Sequence, residues 1–402
     1  SGLENSLLAV AVVGLAAVLV RAAASGRLAT AGTAVWCGLL AALAALTRPD
    51  ALLYAAAYPL VALLLVTRPA VRRTLWAVPL SLGAFAVPYG GYLAWRYAQF
   101  HQLVPNTAVA KAQGVPTVAA LAKATDLAGY AGWPLVVVAV VCVGAALGRP
   151  SRARTGLVAL LVPLALAVLS YAVLVPDWMA QYRFATPVWP LAALATAIAA
   201  GEVLPRLAVR GRVAVAVLAA TACTLTGITW SQDVQSFRAG PTLPLCLVVR
   251  QSREYNGIAR MLGVRHGSVL LPDVGGTALT SDLRIVDVAG LADARIARYL
   301  ANRDLAALRH HVLAEVRPTL IAVHASWAAV TGLAADPRTA RDYRVLTDNP
   351  TEGVLYVRRD AVPDRARLAE VTAFARRSVG EQIAFSRTAR RASCGATLRP
   401  GA

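Results

Sequence analysis

WPLVVVAVVCVGAALGRPSRARTGLVALLVPLALAVLSYAV, residues 133–173, decides the fold. Two apolar runs flank a short basic hinge that carries Arg149, Arg152 and Arg154. Crossing the hydrocarbon core of a bilayer takes about 20 apolar helical residues, with about 17 as the lower end. A helix that is apolar on every side has no polar face to offer water. The stretch therefore reads as two membrane helices joined by a basic turn.

The same pattern repeats outward in both directions. Apolar runs cover 6–22, 29–46, 51–67, 75–95, 133–148, 157–175, 184–201 and 212–230, which predicts about eight spans. The third contains Pro59, which membrane helices tolerate where neighbours satisfy the freed carbonyl. Thr47-Arg48-Pro49-Asp50 splits the second from the third, because Arg and Asp are costly at the bilayer centre and belong at a helix end. The whole chain agrees: 402 residues, 57% hydrophobic, net charge +19, mean hydropathy +0.57. That is too apolar for a soluble domain and too long for one anchor. Charge of this size often marks a nucleic-acid binder. Here much of it lies in short linkers between apolar runs, so membrane topology explains it better and no nucleic-acid partner is expected.

Sidedness follows from those linkers. Arg21 and Arg27; Arg68, Arg72 and Arg73; Arg149, Arg152 and Arg154; and Arg206, Arg210 and Arg212 fall in alternate linkers. The excess of basic residues puts that set in the cytoplasm. Thr47–Asp50, 96–132, 176–183, the amino terminus and everything after Trp230 then face out. The prediction is a polytopic α-helical membrane protein, residues 1–230, with an extracytoplasmic α/β domain, residues 231–402, in the cell (inner) membrane. In that second domain the pattern predicts helices at Tyr255–Leu262 and Asp304–Val316, and strands at Val269–Leu271, Leu283–Val286, Thr319–Val323, Tyr343–Leu346 and Val354–Val357. A charged helix at Ala361–Ser378 closes it. Cys37, Cys142 and Cys223 lie in apolar runs and read as small buried residues. Cys246 and Cys394 can pair if their half faces an oxidising compartment. Without a CxxC or a Cys/His cluster, no metal site is expected.

The outward linkers hold the mixed chemistry. Lys111 in HQLVPNTAVAK, residues 101–111, is one of two lysines in a chain that otherwise uses Arg. An ammonium on a flexible stem can hold a phosphate as a point charge, or Lys111 is a surface residue on a re-entrant turn. Arg48 and Asp50 either pair with each other to end two helices or present a guanidinium at the helix end, Pro49 fixing the turn. Asp177, Trp178, Tyr182 and Arg183 combine an acid, a base and two aromatics, which suits a sugar; the other reading is an aromatic belt at the membrane interface. Val118, Leu121, Ala124, Leu127 and Ala128 form the apolar side of a helix in the long linker, interfacial or merely at the surface. Leu271-Pro272-Asp273-Val274-Gly275-Gly276 reads as a tight turn, and no nucleotide motif follows it. His310 and His311 read as solvated.

SGLE at the start, LTRPD at 46–50, LVPNTAVAK at 103–111, DWMAQYRFATPVWP at 177–190, DVGGTAL at 273–279 and DVAGLAD at 287–293 occur in this order. Together they resemble the GT-C superfamily of polyprenyl-phosphate-sugar glycosyltransferases, and within it the terminal arabinofuranosyltransferase family of the actinobacterial cell wall. The resemblance implies an enzyme that moves arabinofuranose from decaprenylphosphoryl-arabinose, held in the membrane, to a cell-wall polysaccharide acceptor, with no nucleotide at the site. It implies a catalytic Asp in the first outward loop, which would lie upstream of Ser1; the chain then reads as amino-terminally truncated. It gives Arg48, Lys111, Asn106 and Thr107 to the donor phosphate, and Asp50, Asp177, Trp178, Tyr182 and Arg183 to the sugar or acceptor. Val175-Pro176 stands before Asp177 where related sequences have Gly-Gly, which leaves the exact sugars open. Alternatives from the same spans are a polyprenyl-phosphate-mannose-dependent transferase and a non-catalytic transporter or scaffold. Against a transporter, no charge lies deep in a span and no matching pair of broken helices occurs.

Overall fold

Small residues set the packing of the apolar half. In a computed structural model, which describes residues 4–111, 117–174, 182–239, 245–349 and 353–388, the chain divides into two units. One is formed by Ser1–Leu103 with Gly114–Val234, the other by Val104–Gln113 with Gln235–Ala402.

The first unit is helical: α1 (Asn5–Ala24), α2 (Ala31–Thr47), a 3₁₀ stretch Pro49–Ala56 leading into α3 (Ala57–Leu64), and α4 (Val71–Phe100). After α5 (Asn106–Ala110), which belongs to the second unit, come a 3₁₀ turn Val118–Lys123, α6 (Ala124–Ala131), α7 (Trp133–Leu147), α8 (Arg152–Val173), α9 (Val188–Val203) and α10 (Val209–Ala239). Five helical stretches are long and apolar enough to cross a membrane: α1, Arg68–Phe100, α8, Val188–Arg206 and α10; α6 with α7, as one bent span, would make six. All the expected runs are helical, but three fall short of a span by themselves, among them α7 with 15 residues. The α2 helix has 17 residues, and the third run is split, 3₁₀ up to Ala56 and α-helical from Ala57. Pro59 lacks an N–H, so it fits the first turn of α3, where no intrahelical donor is needed. Aliphatic side chains gain nothing by leaving lipid for one another, so close approach of small residues does the work. A Cβ on Gly38 of α2 would come within 2.3 Å of the Ser81 carbonyl on α4. Ala34, Ala41 and Ala45 continue that buried face opposite Ala77. Trp76 and Val87 of α4 are exposed, as lipid-facing side chains would be.

The linker helix read at 118–128 is present, and it leads to a corner. The α6 and α7 axes differ by 102°. Gly132, at φ +89°, makes the turn, and a Cβ there would meet Thr226 Oγ1 at 2.3 Å. A residue with a side chain is excluded twice, by the backbone and by space.

The second unit continues with α11 (Leu245–Met261), β1 (Ser268–Leu271), α12 (Val274–Thr280), β2 (Arg284–Asp287), α13 (Ala294–Ala301), α14 (Leu305–His310), β3 (Leu320–Val323), α15 (Ala325–Thr331), α16 (Pro337–Asp342), β4 (Tyr343–Asn349), β5 (Gly353–Arg358) and α17 (Arg365–Thr388). The sheet order is β2-β1-β3-β5-β4. β1, β2 and β3 run parallel; β5 is antiparallel to β3 and to β4. Successive strand residues point to opposite faces. Val269 and Leu271 thus join Ile258 of α11 and Val371 and Ala375 of α17, while Leu270 joins Ile296 and Leu308 of α13 and α14. All four residues of β1 are buried, as a central parallel strand requires.

Two readings need correction here. The stretch read as a turn at 271–276 leads instead into the short helix α12, Val274–Thr280, with Gly276 and Thr277 buried. His311 is buried rather than solvated: it opens a π-helical turn, His311–Val316, and its Nδ1 lies 3.0 Å from Glu315 Oε2. The α5 helix packs against α13, so 104–111 is part of this unit and not a free connector.

Candidate functional site

Arg48 is the residue around which the polar end of the helical unit is built. Its backbone is extended, ending α2 and opening the 3₁₀ stretch at Pro49. Nε donates to Asp50 Oδ1 at 3.0 Å, and Nη1 donates to Glu4 Oε1 at 2.8 Å and Asn5 Oδ1 at 3.2 Å. The residue is only 8% exposed, and a buried cation of this kind needs paired carboxylates. The internal pairing read for Arg48 and Asp50 is therefore present, with Glu4 as a third member that sequence spacing does not reveal. Nη2 takes no part in these bonds.

The guanidinium also lies over a ring, with Arg48 Cζ 4.3 Å from the Phe184 centroid; Arg183 Cζ is 4.9 Å from the same centroid. Two positions before Phe184, Tyr182 has φ +48°, a left-handed conformation that is strained for a bulky side chain. That backbone turns its ring into an aromatic group. Tyr130 is the hub, 4.7 Å from Tyr182, 5.4 Å from Trp189 and 5.6 Å from Trp230 between centroids. Trp230 Nε1 donates to the Tyr130 carbonyl at 2.7 Å. Tyr171 lies 6.2 Å from Tyr182 and carries Lys123 over its face at 4.7 Å; the Lys123 ammonium also donates to the Leu174 carbonyl at 2.5 Å. Burial, then the charge of Asp126, then Tyr130 and Asp233, raise the Tyr182 phenol above its ordinary value, so it stays a neutral donor.

The structure thus brings Arg48, Asp50, Tyr182 and Arg183 into one polar and aromatic grouping. Asp177 and Trp178 lie outside the described residues, as do Cys394 and the Cys246 side chain. Asn106, Thr107 and Lys111 are on or beside α5 in the other unit, where Pro105 caps the helix start and Lys111 its end. Sequence reading missed Lys123, Asp126, Tyr130 and Trp230. The aromatic content of these segments was the available signal; their meeting point depends on the corner at Gly132.

A second grouping lies in the α/β unit, at the carboxyl ends of β1 and β3. His324 Nε2 is 3.4 Å from Asp273 Oδ2, and its Nδ1 is 2.8 Å from Ser326 Oγ. Open α/β sheets place ligands in the crevice where strand order reverses, and β1 and β3 flank that point here. Among the described residues, no group of three or more His, Cys, Asp or Glu is placed to hold a metal.

Residues 248–371, α11 into α17, match a family model described as Domain of unknown function (DUF8728). No curated protein and no solved structure matches the chain.

Proposed function

We propose that the chain is a membrane glycosyltransferase that moves a pentose, arabinofuranose, from a polyprenyl-phosphate donor to a cell-wall glycan on the extracytoplasmic face of the inner membrane. One observation carries the reading. In a bundle with an interior mainly of Ala, Leu and Val, Arg48 and Arg183 share the Phe184 ring, and Tyr182 beside them joins a Tyr and Trp cluster. Cations lower the barrier where charge develops on a departing phosphate. Aromatic faces take the C–H faces of a sugar ring. A lipid-linked sugar needs both. The resemblance carried by LTRPD, LVPNTAVAK and DWMAQYRFATPVWP supports the same chemistry.

In this reading Arg48 Nη2 and Arg183 take the charge of the leaving phosphate, and Tyr130 and Tyr182 hold the sugar. Proton removal from the acceptor hydroxyl is assigned to Asp126, exposed and in no ion pair among the described residues, in place of the Asp that the resemblance sets in the first outward loop. The acceptor oxygen bonds to the anomeric carbon as the bond from that carbon to the phosphate oxygen breaks. The phosphate contact read for Lys111, Asn106 and Thr107 belongs to the other unit and is tested separately.

The test is incubation of the full chain, reconstituted in lipid, with polyprenyl-phosphate arabinose and an arabinan fragment. Transfer is expected, and Asp126→Asn should lower kcat about 100-fold or more with a smaller change in KM. Lys111→Ala should abolish transfer; normal turnover in that variant removes the lysine from the reaction. Absence of transfer from the arabinose donor overturns the reading, and transfer from polyprenyl-phosphate mannose instead selects the mannose-dependent alternative.

A further inference from the structure

We infer that the α/β unit binds a phosphate-bearing ligand in an arginine-lined cavity at the amino-terminal edge of its parallel strands. The inference does not depend on the transferase reading. The cavity has a volume of about 460 Å³ and is lined by Arg265, His266, Asp282, Arg284, Arg317 and Arg358, among others. Topology explains the convergence. β1, β2 and β3 are parallel, so their amino ends share one edge, and β5, antiparallel to β3, brings its last residue to that edge. Arg265 and His266 come from the turn before β1, Arg284 is the first residue of β2, Arg317 lies in the turn before β3, and Arg358 ends β5. Four segments distant in sequence each supply a guanidinium to one concavity.

The floor is built to stay open. A Cβ on Gly267 would come within 2.9 Å of Leu283 and Val264 side-chain atoms, so the residue there has no side chain. Thr319 Oγ1 accepts the Ser268 N–H at 3.2 Å and fixes the start of β1. Asp360 orients two of the forks, accepting from Arg317 Nη2 at 3.1 Å and from Arg358 Nε at 2.5 Å. Arg317 holds a left-handed backbone at φ +47°. The guanidinium groups of Arg265 and Arg284 form no hydrogen bond or ion pair among the described residues, and both residues are exposed. Gathered like charges repel unless an anion offsets them. Asp282 and Asp360 are fewer than the arginines, which leaves an excess of positive charge.

Guanidinium forks match phosphate oxygens in pairs, with strength and direction that a carboxylate-poor surface alone does not give. At about 30 Å³ for each water it would hold, the cavity has room for a phosphate and an attached group. The ligand class is a phosphomonoester or phosphodiester. The carboxyl edge, where open α/β sheets take nucleotides, is the opposite one.

The experiment is calorimetric titration of the full chain in detergent micelles with inorganic phosphate and, separately, with glycerophosphoglycerol, a chain-free phosphodiester headgroup. Binding that weakens with salt is expected, and the double variant Arg265→Gln/Arg284→Gln should weaken it about tenfold or more. Arg376→Gln, exposed on α17, should leave it unchanged. Tighter binding of phosphate assigns the site to a free phosphate or monoester; tighter binding of the headgroup assigns it to the phosphodiester of a lipid or glycan. No binding of either probe in the millimolar range overturns the inference, and so does binding that the double variant retains. Should that variant lose its fold, Arg284→Lys, which keeps the charge but not the fork, is expected to weaken binding by itself; unchanged binding there overturns the inference equally.

Discussion

Arg48 in the helical unit and Arg284 in the α/β unit carry the same group under opposite conditions. Arg48 is 8% exposed, its Nε and Nη1 bonded to Asp50, Glu4 and Asn5. Arg284 is exposed at the first residue of β2, and its guanidinium bonds to nothing among the described residues. Two glycines differ as sharply, although tight and open positions occur in both units, Gly353 of β5 being as close-packed as Gly38 and Gly83 of α4 as open as Gly275. Gly38 cannot accept even a methyl group, because the Ser81 carbonyl would be 2.3 Å away; Gly275 in α12 has nothing within 4 Å. The contrast teaches that an apolar bundle tolerates buried charge only where it is neutralised on the spot, and that α2 packs on α4 by contact between small residues. The α/β unit, with its edges in water, can carry unpaired charge as a resource.

The largest expected effect tests the neutralised end. Arg48→Ala leaves Glu4 and Asp50 without their cation, and a broken buried ion pair costs about 3–5 kcal/mol; partial exposure of Glu4 places the outcome toward the lower figure. Thermal unfolding of the full chain in detergent measures it, and an unchanged midpoint would mean that Arg48 does not tie the ends together. Next is packing. Gly38→Ala should destabilise by about 1–3 kcal/mol through overpacking, whereas Gly275→Ala should be neutral or slightly stabilising as a helix substitution. Equal effects at both positions would mean that the contact of α2 with α4 at Gly38 does not decide the difference.

The smallest effect concerns Asp336 at the start of α16. Its carboxylate accepts the Arg338 N–H and pairs with Arg338 at 2.8 Å and Arg309 at 3.4 Å. Above all through the Arg338 hydrogen bonds, these hold its carboxyl down at about 2, from an ordinary 3.8. A depressed carboxyl contributes stability that is complete above its ordinary value and is lost as pH falls toward the depressed one. Asp336→Asn keeps a capping oxygen but loses the charge paired with Arg338 and Arg309; it should therefore cost about 1 kcal/mol or less near neutrality and should flatten the acid dependence below pH 3.8. Hydrogen exchange of α16 reports both; a variant with the parent's acid slope would assign that slope to another group.

The apolar runs were legible because they lack any polar face, and the strands because they are short, β-branched apolar runs bounded by turn residues. Strand boundaries differ by one residue, as where Val269–Leu271 became Ser268–Leu271, except that Tyr343–Leu346 runs on to Asn349. The split of the third run could be read from Pro59 but not its 3₁₀ character. The α13 helix was missed although Asp293, which accepts the Arg295 and Ile296 N–H groups, is a readable cap. The α12 helix was missed because Gly275 and Gly276 are poor helix formers and tertiary packing overrides them. At the site, Arg48 with Asp50 was readable from a separation of two residues. Glu4 was not, being 44 positions away. The aromatic hub at Tyr130 needed the Gly132 corner, whose angle no local pattern encodes.

Because Val104–Gln113 folds with Gln235–Ala402, the polypeptide leaves the helical unit, returns to it and leaves again. The two units are therefore stitched by three strands of covalent chain, not hung from a single linker. Cutting the gene at residue 234 would not give two clean halves. One piece would keep a five-residue helix stripped of its support, and the other would bare the face of α13 that this helix covers.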